Sequence, residues 1–551
     1  MRRTARGSAE AADDFPRVAS GVTIEPPATD GAVTIVAVSG VPASRVSPQV
    51  GRLLAAMDGQ TSVRELKAEF APASDDEEFG ELLTRFRHSG LLVGSERRPA
   101  GRVTYRPPLT VQFATLHAPA VFAAIDRLLG RAVGRWLATP VLTLVIAGVV
   151  AMAAQWDELW NQLISPVPLT TLLVVALAMT AATLAHEVAH GATLMRFGQA
   201  PRRAGFMLLY LSPAFFVDVT SGWRLPRRQS RVVVALAGPA VHAALGGACF
   251  VAAWPADAAT GSVLLMLGAA CFTVAVINLI PFVRFDGYLA LMSWLDEPGL
   301  RARSMADARQ SVSRLLFGGP VAPRWLNRWW SVPFGILSHV VPTVLVAYAL
   351  VRMTRVLAGA GPFGAGLQVG MGVVVGVVAL LLVGRGLARV WRRGGINPLR
   401  FLVVIAGAIA LVVAAGATVR IPIAVQGGFV ARATGIEVVV ADAESASAAP
   451  DGARVELLTN GLFANAPLAA GVLTREAPRN TTAPLSTLFP VEAAGAAVPA
   501  VRVGGVEVEE PRRRGIPHAG LARIVVGSEN LWEHAWRALV VEPARTLLNV
   551  E

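Results

Sequence analysis

Seven stretches of about twenty apolar residues dominate this chain, and a helix of that length just crosses the hydrocarbon core of a bilayer. They cover residues 137–156, 166–190, 232–254, 261–280, 329–351, 366–384 and 401–419. Backbone groups in lipid must find partners within their own segment, so each stretch is expected to be a helix. Composition agrees: 54% of the 551 residues are hydrophobic and 16% are charged, against about 25% charged in soluble domains. The expected fold class is a polytopic all-α membrane protein of about seven spans, with an N-terminal α+β domain and a small C-terminal β-rich domain.

The formal charge of +12 is a matter of topology. Lys67 is the only lysine, and the arginines collect at the ends of apolar runs. No groove-reading motif accompanies them, so nucleic acid is not expected as a partner. Arginines crowd the segments after the second span (Arg196, Arg202, Arg203, Arg224, Arg227, Arg228, Arg231), after the fourth (Arg301 to Arg328) and after the sixth (Arg385 to Arg400). The alternate loops 157–165 and 255–260 have none. The positive-inside rule then places the N-terminus in the cytoplasm and, after seven spans, the C-terminal domain outside a cell membrane. Arg352 and Arg355 fall on the outer side in this scheme. Residues 1–14 lack an apolar core, so no cleavable signal is expected. Cys249 and Cys271 lie in apolar spans and read as small buried hydrophobes.

Residues 15–96 read as a soluble domain. Val33 to Val38 forms a β-branched strand, closed by Ser39-Gly40. Helices are expected over 47–57, 62–70 and 75–88, each opening on a Ser, Thr or Asp cap, and Leu91-Leu92-Val93 makes a short strand or wing. Residues 106–135 read as an amphipathic helix on the inner membrane surface, with Val121, Phe122, Ile125, Leu128 and Leu129 on one face. Residues 137–294 hold the candidate site, 295–419 add further spans and basic loops, and 420–551 show short β-like runs at 436–440, 455–458, 501–508 and 522–526.

The chemistry sits at the end of the second span, in His186-Glu187-Val188-Ala189-His190. Histidines four apart on a helix differ by about 40° in direction, so both can hold one ion, while Glu187 is turned about 100° aside and can reach a water beside it. An ion there brings the water's pKa toward about 7, and the carboxylate takes its proton. A pair of packed structural histidines is the alternative, and polar groups closing an apolar span speak against it. A third ligand is required. Asp286 is the candidate, in Asn278-Leu279-Ile280-Pro281-Phe282-Val283-Arg284-Phe285-Asp286-Gly287, where Pro281 stops the fourth span and Gly287 is expected to permit the turn that aims the carboxylate back. Alone, this segment would read as a turn with a capping Asp.

His186 to His190 followed by Asn278-x-x-Pro281-x-x-x-x-Asp286-Gly287 resembles the site-2 protease family of intramembrane zinc metalloproteases. The resemblance covers roughly residues 168–294. It implies Zn2+ on His186, His190 and Asp286, Glu187 as general base, and Asn278 near the substrate. Gly238-Pro239-Ala240-Val241-His242 resembles the family's Gly-Pro-x-x-Asn segment with His in place of Asn, which leaves His242 as a substrate or oxyanion contact or as a packing residue. Residues 206–223, apolar but broken by Pro213, Asp218 and Gly222, resemble the family's membrane-dipping hairpin, along which an extended substrate can pair. Asp218 reads equally as a substrate contact, as a residue behind the site or as a turn residue.

The soluble domain, through Val50-x-x-Leu53-Leu54-x-x-Met57-Asp58-Gly59, Val63-x-x-Leu66 and Phe79-x-x-Leu82-Leu83, resembles the winged-helix domain that recognises leader peptides of ribosomally made, modified peptides. An ordinary protein-binding winged helix has the same spacing. Fused to a peptidase, the layout resembles the intramembrane metalloproteases of daptide biosynthesis. The expected function is removal of the leader from a modified precursor peptide, with the lipid bilayer and peptide-modifying enzymes or an exporter as further partners. Cleavage of a membrane-anchored regulator or signal-peptide remnant is the alternative within the same chemistry. A non-catalytic export or immunity protein is the alternative outside it.

Overall fold

The computed structural model describes residues 15–25, 34–94, 101–106, 110–129, 138–209, 212–318, 324–326, 328–358, 361–392, 396–433, 435–511 and 515–548. Residues 1–14, Val33, the domain end at 95–96, the helix end at 130–135, Leu137 and Arg393 lie outside the described residues. The chain divides into two compact units, Met1–Val149 with Ala178–Cys249 and Gly268–Pro298, and Val150–Leu177 with Phe250–Leu267 and Gly299–Glu551.

In the first unit, strands β1 (Val22–Glu25), β2 (Thr34–Val38) and β3 (Val41–Val46) form an antiparallel sheet in that order. Helices α1 (Pro48–Ala56), α2 (Val63–Phe70) and α3 (Asp76–His88) follow. Their starts are fixed by side chains that accept orphan N–H groups: Ser47 from Val50, Ser62 in a reciprocal capping box with Glu65, and Asp75 from Glu78. Leu53, Leu54, Met57, Leu66, Phe79 and Leu83 close over Val36 to make the core. The expected wing is a single bridge between Val18 and Leu92, and Gly90 ends α3 at a φ of 76° that only glycine adopts freely.

The amphipathic helix expected over 106–135 is corrected. Residues 103–115 are two strands, β4 (Val103–Arg106) and β5 (Thr110–Thr115), and among the described residues the helix is α4 (Ala118–Leu129) alone. β5 pairs with the hairpin β6 (Ala204–Leu209) and β7 (Ser212–Val217), giving a four-stranded antiparallel sheet β4-β5-β6-β7. Thr110 to Thr115 pairs on one side with its neighbour β4, but its second partner, β6, lies far along the chain, which no local period reveals. On α4, Phe122 is buried against Gly191, where a Cβ would stand 2.2 Å from its ring.

Six helices among the described residues are long and apolar enough to cross a membrane. They are Leu169–Arg196, Arg228–Ala253, Ala258–Asn278, and three later ones named below. The first expected span falls on α5 (Ala138–Ala154), which turns by 72° into α6 (Trp156–Ile164); the two pass the same test together and make a seventh if counted as one span. Leu169–Arg196 is α7, Arg228–Ala253 is α8 and Ala258–Asn278 is α9; the short α10 (Asp286–Leu295) follows. Gly148 and Gly247 let α5 and α8 meet backbone to backbone, since a Cβ at Gly148 would lie 2.2 Å from the Gly247 Cα.

The second unit carries α11 (Leu300–Phe317), α12 (Ser331–Ala358), α13 (Gly361–Arg392) and α14 (Pro398–Thr418), the last three being the remaining apolar helices. A closed six-stranded barrel follows, built from β8 (Arg420–Arg432), β9 (Gly435–Val440), β10 (Arg454–Leu458), β11 (Pro467–Pro484), β12 (Ala497–Pro511) and β13 (Ala519–Asn530) in the order β9-β12-β11-β10-β13-β8. Closure removes the free strand edges. The expectation of β structure through to residue 551 is corrected at its end: 531–548 is helical and packs on α13 and α14, with Trp532 donating to the Val413 carbonyl at 3.1 Å.

Candidate metal centre

α7 supplies the histidine pair. At 1.5 Å per residue, a 28-residue helix is about 42 Å long, and His190 lies about 9 Å from its basic end at Arg196. His186 and His190 are both buried, with Nε2 atoms 3.2 Å apart. Asp286, the first residue of α10, brings Oδ2 to 3.1 Å from His186 Nε2 and Oδ1 to 3.4 Å from His190 Nε2. Bonds of about 2.0–2.1 Å to a tetrahedral ion place donor atoms about 3.3 Å apart. The three donor atoms thus have the spacing one ion requires, and lone pairs so close repel without a cation or proton between them.

Neighbouring backbone sets the donors' orientation. His190 Nδ1 donates to the Val234 carbonyl on α8 at 2.7 Å, which fixes the ring and leaves Nε2 as the ligand atom. Gly238, one turn further along α8, lies directly over both rings: a Cβ there would stand 2.4 Å from the Nε2 of each histidine. Asp286 sits in the first turn of α10, where the helix dipole favours a carboxylate. Gly287 has a role different from the expected turn. It is helical, and a Cβ would meet the Leu279 carbonyl oxygen at 2.3 Å, so it lets the start of α10 press against the end of α9.

Glu187 stands beside the donors without joining them. Its Oε2 accepts the backbone N–H of Val217 at 2.9 Å. Val217 ends β7, an edge strand of the four-stranded sheet, and the next residue's N–H pairs inward to the Arg203 carbonyl at 2.8 Å. The outer edge of β7 therefore faces Glu187. Together they border a cleft of about 410 Å³ that also takes in His190 and Asp286. A strand edge next to a carboxylate and an ion site can align an extended peptide and move a proton at its amide.

The other expected residues are placed as follows. Asp218 lines the cleft and turns its Oδ1 onto the N–H and hydroxyl of Thr220, closing the turn after β7. His242 is 1% exposed, its ring centroid 5.2 Å from that of His186, and it is not among the cleft-lining residues. Asn278 donates to the Val274 carbonyl of its own helix at 2.9 Å and does not line the cleft.

Three contributors were not expected as site residues: Val217, Gln112 and Arg231. Gln112 of β5 and Arg231 of α8 both wall the cleft and are nearly buried. Arg231 shares the carboxylate of Asp296 with Arg45 of β3. Arg224, just past the cleft, pairs through two nitrogens with Glu25 of β1 and donates to the Gly40 carbonyl at 2.9 Å. The N-terminal domain is thereby tied to the cleft rim. An arginine just inside an apolar helix was the one available hint of this. No protein-family model, curated protein or solved structure matches the chain.

Proposed function

We propose that this chain is a zinc-dependent endopeptidase acting within a membrane, and that it removes the leader from a ribosomally made, modified precursor peptide of the daptide type. The observation that carries the hydrolytic reading is the triangle of His186, His190 and Asp286 with Glu187 and an edge strand at its side. Two imidazoles and a carboxylate suit Zn2+, which when bound supplies a Lewis acid for the scissile carbonyl and acidifies water. The chain's own groups do the rest. The edge of β7 holds the substrate extended, Glu187 accepts the proton of the attacking water and returns it to the departing amine, and burial of the donors limits competing solvent.

The choice of a peptide precursor over a membrane-anchored regulator is supported by the winged-helix-like domain, pinned to the rim of the cleft through Glu25, Gly40 and Arg45. Purified protein in lipid nanodiscs, incubated with the short precursor encoded nearest its gene, tests the reading. Wild type should cut the precursor. Glu187→Gln should hold one zinc per chain and cut at least 100-fold more slowly. Undiminished cleavage by Glu187→Gln overturns the mechanism. Cleavage of an anchored regulator, with the precursor left whole, overturns the substrate.

A further inference from the structure

A second cavity, of about 440 Å³, lies in the other unit, among α11, α12 and α13. It falls within the size range of small-molecule sites. One helical face of each element lines it: 308–317 of α11, 336–340 of α12 and 386–390 of α13. The walls are mostly apolar, and two arginines stand in them from different helices, Arg309 and Arg389. No carboxylate lines the cavity. Asp307, the only acid in α11, is fully buried and accepts the N–H groups of Trp325 and Leu326 at 2.7 and 3.1 Å. Among the described residues, no ion pair engages either arginine.

The depth of the cavity is marked by aromatic rings. Phe317 packs on Phe401 and Trp391 on the same ring, each pair at 5.1 Å. Trp391 is more than half exposed, as a residue at the headgroup level of a bilayer is. One to two turns along α13 from Arg389, Leu382 and Val383 are exposed apolar surface, as are Val340 and Val344 on α12. Positive charge at headgroup level above bare apolar helix is the pattern of an amphiphile with an anionic head. His339 adds selectivity: its Nδ1 donates to the Gly335 carbonyl at 2.8 Å, which leaves the Nε2 lone pair for a hydroxyl donor.

We propose that this cavity binds one anionic phospholipid. Its phosphate lies between Arg309 and Arg389, its polar head reaches His339, and its acyl chains run down the exposed faces of α12 and α13. The site is independent of what the metal centre does.

Native mass spectrometry of the full chain, titrated in detergent with palmitoyl-oleoyl phosphatidylglycerol or phosphatidylcholine, tests it. Wild type should retain one phosphatidylglycerol in preference to phosphatidylcholine. Arg309→Gln with Arg389→Gln should weaken retention about 30-fold, at about 1 kcal/mol for each arginine at a membrane surface. Arg314→Gln, an exposed neutralisation on the same helix outside the cavity, should leave it within about twofold. If the double variant elutes as aggregate, Val340→Trp, which puts a bulky ring into the cavity wall and keeps both charges, takes its place and should weaken retention of the lipid. Equal retention of both lipids, unchanged retention by the double variant or by Val340→Trp, or displacement by millimolar inorganic phosphate overturns the assignment.

Discussion

Replacing Gly238 with Ala isolates the geometry of the metal centre from the stability of the helix that frames it. The added Cβ would lie 2.4 Å from both ligand nitrogens, and an ordinary contact of about 3.4 Å requires about 1 Å of movement. Neither ring can absorb it easily. His190 is tethered to the Val234 carbonyl, and His186 already abuts His242 at 5.2 Å between centroids. Metal–ligand distances tolerate only about 0.2 Å. Displacement of one donor should weaken zinc by at least the 10- to 100-fold seen when supporting residues are lost, about 1.4–2.8 kcal/mol. Ala should strengthen α8 itself by about 0.5–1 kcal/mol, so a weaker helix cannot produce the loss. Competition for zinc against a chelator of known affinity reads the effect, and Gly384→Ala, with open space around its Cβ position, is the matched control. Wild-type zinc affinity in Gly238→Ala would refute the placement of α8 over the ligands.

Asp286→Asn should weaken zinc at least as much, because it removes a charged ligand; chelator should lower the thermal midpoint of wild type and leave that of the variant unchanged. Asp296→Asn leaves Arg45 and Arg231 without their shared carboxylate. The cost is about 1–2 kcal/mol once the 45% exposure of Asp296 is discounted, read as a lower thermal midpoint that salt reduces further in wild type than in the variant. In the N-terminal domain, the backbone N–H and hydroxyl of Ser62 hold the Glu65 carboxyl below its ordinary range. A folded-state pKa below the unfolded value gives stability that is present above the unfolded value, about 4.3, and lost as pH falls through the folded one. The midpoint difference between wild type and Glu65→Gln should therefore shrink below about pH 4; a constant difference down to pH 3 would remove the capping box from the account.

The legible parts of this protein are those whose physics is local. Apolar length announced the helices that are long enough to cross a membrane, because lipid forces each such segment to satisfy its own backbone. The Ser62 and Asp75 caps announced helix starts because capping acts within three residues. The spacing of His186 and His190 announced two rings on one helix face because a helix repeats every 3.6 residues. What folding alone decided depends on partners remote in sequence. Residues 110–115 joined a four-stranded sheet only because the hairpin at 204–217 pairs with their second edge. Gly238 and the Val234 carbonyl came to lie against the two histidines only because α8 crosses α7 at that height. Glu187 met a strand edge through Val217, a residue with no polar side chain to advertise it. Asp296 acquired two arginines, Arg45 and Arg231, from stretches of the first unit far apart in sequence. A period can be read along one segment, whereas the meeting of two segments is set by packing over the whole molecule, and the chemistry of this site lies in such meetings.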